Sequence, residues 1–282
     1  MSLVAFLGAI ETGLIFSLVA LGVFLAFRVL NFPDLTVDGS FTFGAAVTAV
    51  LIVKGWNPYA ACGAALIAGC LAGLCTGFLN VRLKVLNLLA SILTMIALYS
   101  VNIRIMAGPT VPLLGQPTVL PSASATPGFL LLVAAATWTL FTWFLHSETG
   151  LALRATGANP LMARANGVRT DRLVLVGLAI TNALAALGGS LFAQLQGAAD
   201  ASMGIGTIII GLAAVIGGAA MVPARSLIGM TLACIIGSIV YHVVVAAALN
   251  ATTLGLTASD VNIVTAALVC VALAFTGWMK KT

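Results

Sequence analysis

Charged side chains are scarce in this sequence: Asp, Glu, Lys and Arg make up 7% of its 282 residues, while 61% are hydrophobic. A soluble domain carries about 25% charged residues, so a soluble fold of this length is excluded. Aromatic residues are also few, at 7%, which argues against a base-stacking nucleic-acid surface despite the net charge of +5. Two histidines, His146 and His242, stand apart, and no metal-ligand grouping forms around them. The five cysteines, Cys62, Cys70, Cys75, Cys234 and Cys270, lie in apolar stretches without a CxxC pair, so they read as small packing residues. No Gly-x-x-x-x-Gly-Lys-Ser/Thr loop is present to cradle a nucleotide. HExxH and a Gly-x-Gly-Asp string are missing as well, which removes the commonest intramembrane hydrolases. No cofactor-binding pattern appears, and no enzyme activity is expected.

What is present is apolar length. Long runs rich in Ala, Leu and Gly recur from end to end, where a β-barrel would show roughly ten-residue alternating segments. About nine stretches approach the 20 or so residues a spanning helix needs: Val4–Val29, Val37–Val53, Pro58–Val81, Leu86–Met106, Gly128–His146, Leu173–Gln194, Ile205–Met221, Leu227–Ala248 and Val261–Met279. The first lacks a basic leader and contains Glu11, so it reads as a retained span. The expected fold is an all-α integral membrane protein of about 8–10 transmembrane helices. Residues 1–282 form one membrane domain in this reading. Arg82 and Lys84, then Arg154, Arg164, Arg169 and Arg172, then Lys280 and Lys281 fall on one side when spans are counted alternately. That side is the cytoplasm by the positive-inside rule, which puts the N-terminus outside. Gly108–Pro127, Gly197–Gly204 and Asn250–Ser259 fall on the opposite face.

The loop over 147–171 is too polar to span, yet it holds a short helix. Asn159 is its N-cap, Pro160 takes the first helical position, and Gly167 supplies the left-handed stop. Leu161, Met162 and Ala165 share a face bordered by Arg164 and Arg169. Such a helix seeks a partner groove or lies on the lipid headgroups.

A second polar island lies near the N-terminus. Pro33 breaks the helix, Gly39 and Gly44 weaken it, and Asn31, Asp34, Thr36, Asp38, Ser40 and Thr42 crowd into apolar sequence. Two readings remain: a solvated cytoplasmic loop, or a helix broken at mid-membrane whose freed backbone lines an aqueous path. In the second, Asp34 or Asp38 meets a solute ammonium or pairs with Arg28. Asp200 and the glycines ahead of the short run Ile208–Ala219 mirror Asp38 and Gly39, a pointer to an internal inverted repeat. The ladder Gly69, Gly73, Gly77 and the pair Gly188, Gly189 read as helix-packing contacts.

The string from Leu153 to Val168, followed by Thr170-Asp171-Arg172, resembles the coupling-helix loop of ABC importer permeases of the branched-chain amino acid and ribose permease superfamily. Leu30-Asn31-Phe32 with Gly39 and Gly44-Ala45-Ala46 is similar to that superfamily's interrupted second span. The fuller Phe32-Pro33-Asp34-Leu35-Thr36-Val37-Asp38-Gly39-Ser40 looks like a subgroup associated with amino-acid-like solutes. Its Asp pair departs from the branched-chain pattern, so that substrate does not transfer directly. The resemblance implies a permease subunit that forms a solute path as a dimer. It implies docking of Asn159, Pro160, Leu161, Met162, Ala163, Arg164, Ala165, Asn166 and Gly167 on a cytoplasmic ATPase. It places Asn31, Phe32, Asp34, Asp38, Ser40, Phe41 and Gly44 along the path. The implied partners are the ATPase, a periplasmic or lipid-anchored solute-binding protein, a second permease copy and membrane lipid, with no nucleic acid. The competing class is a stand-alone secondary transporter coupled to an ion through Asp34, Asp38 or Glu11; it has no use for a coupling helix.

Overall fold

The computed structural model describes residues 3–121, 125–222 and 226–249. The expected span Val261–Met279, the loop Asn250–Ser259, Cys270, and Lys280 and Lys281 lie outside the described residues. The chain forms α1 (Leu3–Val23), continued by a π-helical stretch Phe24–Val29, then α2 (Thr36–Val53), α3 (Pro58–Val81) and α4 (Asn87–Met106). A short strand β1 (Thr110–Pro112) precedes α5 (Thr126–His146), α6 (Glu148–Ala158), α7 (Pro160–Ala165) and α8 (Thr170–Gln196). Strand β2 (Ala198–Asp200) leads to α9 (Thr207–Met221) and α10 (Leu227–Leu249). Among the described residues, 7 helices are long and apolar enough to cross a membrane, and α9 is a shorter apolar helix.

The described residues divide into two compact units, each built from separated stretches: residues 22–121 with 143–208, and residues 3–21 with 125–142, 209–222 and 226–249. In the first unit α8 is the central post. Ser40 meets Asn182, Gly44 lies on Ala186 and Thr48 meets Ser190, so α2 runs parallel to α8. Gly69 lies on Asn182, Gly73 on Leu178 and Gly77 on Leu175, so α3 runs antiparallel to it. At Gly44, Gly69, Gly73 and Gly189 an added Cβ would overlap the neighbouring backbone. Backbone-to-backbone approach of this kind is how helices associate where lipid removes the hydrophobic drive. The glycine ladder is packing, as its spacing predicts. β1 pairs antiparallel with β2, Val111 opposite Ala199, which orders part of the expected outer loop.

In the second unit α10 packs on α1 and on α9. Gly13 lies against Ile239, and the Ser238 hydroxyl donates to the Gly13 carbonyl at 2.8 Å. Gly218 and Gly237 bring α9 and α10 together at Ala233 and Ala214. The Trp138 indole donates to Thr231 Oγ1 at 3.0 Å, joining α5 to α10.

Candidate functional site

The break between α1 and α2 sits deep in its unit. Pairs between α2 and α8 keep a constant offset of 142 residues. That offset sets Thr36, where α2 begins, level with Leu178, about 12 Å along α8 from its start at 1.5 Å per residue. The approach is irregular. Leu30 N–H donates to Leu25 O and Phe32 N–H to Ala26 O, both at 2.8 Å, and Asn31 takes a left-handed φ of 55°. Pro33 then prevents the helix from resuming until Thr36.

Two carboxylates close the open ends left by these breaks. Asp34 is fully buried, which rules out the solvated-loop reading. Its Oδ1 accepts from Thr36 N–H at 3.0 Å, and its Oδ2 accepts from Asn182 Nδ2 at 2.7 Å. Its partners are therefore Thr36 and Asn182, not the exposed Arg28. Ser40 Oγ donates to Asn182 Oδ1 at 2.7 Å, and Thr36 Oγ1 lies 2.7 Å from Thr76 Oγ1. This network joins α2, α3 and α8.

Asp38, half-buried, reaches to the start of α9: its Oδ2 accepts from Gly206 N–H at 3.1 Å and its Oδ1 from Ile208 N–H at 2.7 Å. Helix N-termini carry unpaired N–H groups and partial positive charge, and Asp38 supplies both the acceptor and the opposite sign from a different helix. Asp200, the residue whose sequence context mirrors Asp38, instead closes a surface turn. The Ser202 hydroxyl and backbone N–H and the Thr110 hydroxyl donate to it and hold its carboxyl below the ordinary range.

Of the residues assigned to a path by resemblance, Phe32, Asp34, Ser40 and Phe41 are buried, and Gly44 is pressed on α8. Asn31 is exposed. Asp38 lines a cavity of about 280 Å³ with Gly39, Thr42, Tyr99, Asn102 and others. Tyr99 and Asn102 of α4 were not picked out from the sequence. Nothing but a single Asn in an apolar run marked the position.

The loop over 147–171 holds two helices where one was expected. The missed helix, α6, had its signals in place: the Ser147 hydroxyl accepts from Gly150 N–H, and Glu148 occupies the first turn. Gly157 lets α6 close on the Val29 carbonyl. In α7, Asn159 Oδ1 accepts from Met162 N–H at 3.0 Å, Pro160 begins the helix, and Gly167 takes φ 81°. Ala163 faces inward. Leu161 and Met162 are 78% and 66% exposed. Arg164 is held within the chain: its Nε donates to Thr170 Oγ1 at 2.6 Å and its Nη2 to Asp171 Oδ1 at 2.8 Å. Arg82, Arg164, Arg169 and Arg172 line one cleft of about 620 Å³, which puts both basic loops at the same end of the unit, as the charge count requires.

Residues 5–276 match the profile of the family described as "Branched-chain amino acid transport system / permease component". A "Tyrosine transport system permease protein" of Clostridioides difficile is 36% identical over 95% of this chain and 91% of its own length. A "Galactofuranose transporter permease protein" of Escherichia coli is 31% identical over 68% of this chain and 58% of its own. Among solved structures, "PsaBC from Streptococcus pneumoniae in complex with Fab" superimposes with a TM-score of 0.54 at 14% identity, covering 95% of this chain and 89% of that one; at that identity the likeness speaks for the fold.

Proposed function

Because the chain belongs to the permease-component family of the branched-chain amino acid transport system, and is thus a multi-pass inner-membrane subunit of an ABC importer, we propose that it carries an amino acid or a close relative. The Clostridioides tyrosine transport permease, similar to this chain along nearly its whole length, supports that solute class. A second copy of the chain completes the path, and a separate binding protein delivers the solute to the outer face.

The observation that carries the mechanism is α7. It is a six-residue helix, closed at both ends by its own side chains and glycine, that leaves Leu161 and Met162 uncovered. Two large apolar side chains on a capped helix fit a cleft on the ATPase subunit. Arg164 ties the helix to Thr170 and Asp171 at the foot of α8, so displacement of α7 is passed to the helix against which α2 and α3 are packed. ATP binding in the motor thereby reaches the broken segment around Asp34 and Asp38. The secondary-transporter alternative gives this lever no task.

The test is co-purification and ATP-driven uptake in proteoliposomes. Leu161→Asp with Met162→Asp is expected to reduce ATPase recovery at least about tenfold, the scale of two lost apolar anchors, while the permease keeps its thermal stability. Undiminished ATPase recovery and uptake would refute the docking assignment.

A further inference from the structure

We infer that the arginine cleft between the end of α3 and the start of α8 binds the phosphate of an anionic phospholipid, whose acyl chains lie along an apolar track on α3.

Arg82, Arg164, Arg169 and Arg172 line this cleft, and Asp171 is the carboxylate among the described residues around it. Asp171 is already held by Arg164 at 2.8 Å. Arg82, Arg169 and Arg172 are exposed and have no carboxylate partner among the described residues. The 27-residue α8 starts here without a side-chain cap, so its positive end adds to the same field. Three unmatched guanidiniums around one hollow repel one another until an anion joins them. Their planar forks suit phosphate oxygens.

The position fits a lipid rather than a free anion. α3 has 24 residues, about 36 Å of helix at 1.5 Å per residue, slightly more than the ~30 Å hydrocarbon core. Exposed Trp56 and Tyr59 mark the interface at its other end. Arg82, the residue after α3, therefore falls at headgroup depth on the cytoplasmic side. Ile67, Leu71, Leu74 and Phe78 are exposed at steps of four, three and four residues, and Arg82 follows four residues later. That spacing sets them on one face, an apolar track that ends at the cleft. A phosphate without chains, or an acidic loop of a soluble subunit, has no use for the track. Basic pockets on the cytoplasmic side of a membrane protein suit anionic headgroups.

The experiment measures lipid binding to the purified permease in detergent by native mass spectrometry, at matched ionic strength. The probes are phosphatidylglycerol and phosphatidylcholine, whose choline offsets the phosphate charge. Wild type is expected to hold phosphatidylglycerol at least about tenfold more tightly. Arg82→Gln with Arg172→Gln is expected to weaken phosphatidylglycerol roughly thirtyfold, the scale of two interfacial cations, with little change for phosphatidylcholine. Arg28→Gln, at an exposed cation outside the cleft, is expected to bind as wild type does. Equal binding of the two lipids by wild type overturns the inference. So does phosphatidylglycerol binding that survives the double substitution or falls as far in Arg28→Gln. Displacement of the lipid by excess inorganic phosphate assigns the cleft to a free anion and overturns it. Loss of ATPase co-purification by the double variant in nanodiscs of phosphatidylcholine alone assigns the arginines to the protein partner, with the same result. If the double variant is not recovered, Arg172→Gln alone is expected to weaken phosphatidylglycerol about fivefold, and unaltered binding overturns the inference.

Discussion

At the scale of single residues, Asp34 and Asp38 do similar work in different places. Each supplies a carboxylate to a helix start: Asp34 to α2 and Asp38 to α9. An unpaired carboxylate buried in this setting is expensive, so Asn182 is critical as the side-chain donor to Asp34. Asn182→Val is expected to cost about 1.5–3 kcal/mol, the range for a hydrogen bond to a charged group. Asp34→Asn should cost less, since it removes the buried charge, although it keeps only one of the two acceptors that Thr36 N–H and Asn182 Nδ2 use. Thermal unfolding of the purified permease in detergent checks the order; equal losses would contradict it. The clustering of polar residues between Leu30 and Thr42 was legible in the sequence, and so was the helix break at Pro33. Their partners were not, because Asn182 and the amides of Gly206 and Ile208 are far away along the chain and carry no local signature.

Among elements, α8 is the post on which α2 and α3 are mounted, and glycine and alanine make the approach possible. Gly44 is the tightest test. Its added Cβ would fall on the Ala186 backbone, which no rotamer change relieves. Gly44→Val is expected to destabilise the permease by about 3 kcal/mol or more, seen as loss of the monodisperse peak in size exclusion. Gly63→Val, at a glycine with open space around it, is the control and should elute normally. Most spans were readable from apolar length, and their observed ends shift from the expected ones by a few residues. Gly69, Gly73 and Gly77 announced a packed face. α6 went unread because Gly150 and Gly157 depress helix propensity, and its contact with Val29 compensates in a way a local reading misses. The parallel drawn between Asp200 and Asp38 failed for a related reason. Similar strings sit in different surroundings, one in a surface turn and one against the start of a helix.

For the whole molecule, the proposed function gives the permease a route and a lever and leaves the energy to an ATPase. Proteoliposomes containing it without an ATPase are expected to show no solute accumulation under an imposed proton or sodium gradient. Accumulation under either gradient would restore the ion-coupled alternative. Membrane class was legible in the sequence through scarcity of charge, and the permease family through the strings around Asn159 and around Phe32. The amino-acid-like solute class was legible through the string Phe32–Ser40. The residues that line the α2–α4 cavity were not, because they come from three separated stretches of the chain.

The span of 142 residues between Ser40 and Asn182 also bears on how the protein is made. At roughly 5–20 residues per second, a ribosome makes Ser40 some seven to thirty seconds before Asn182. During that interval the nascent chain carries Asp34 into the insertion machinery with no amide to receive it. Asp34 therefore gains its Asn182 partner only once α8 has been made, and the join between α2 and α8 is among the later contacts of the growing chain.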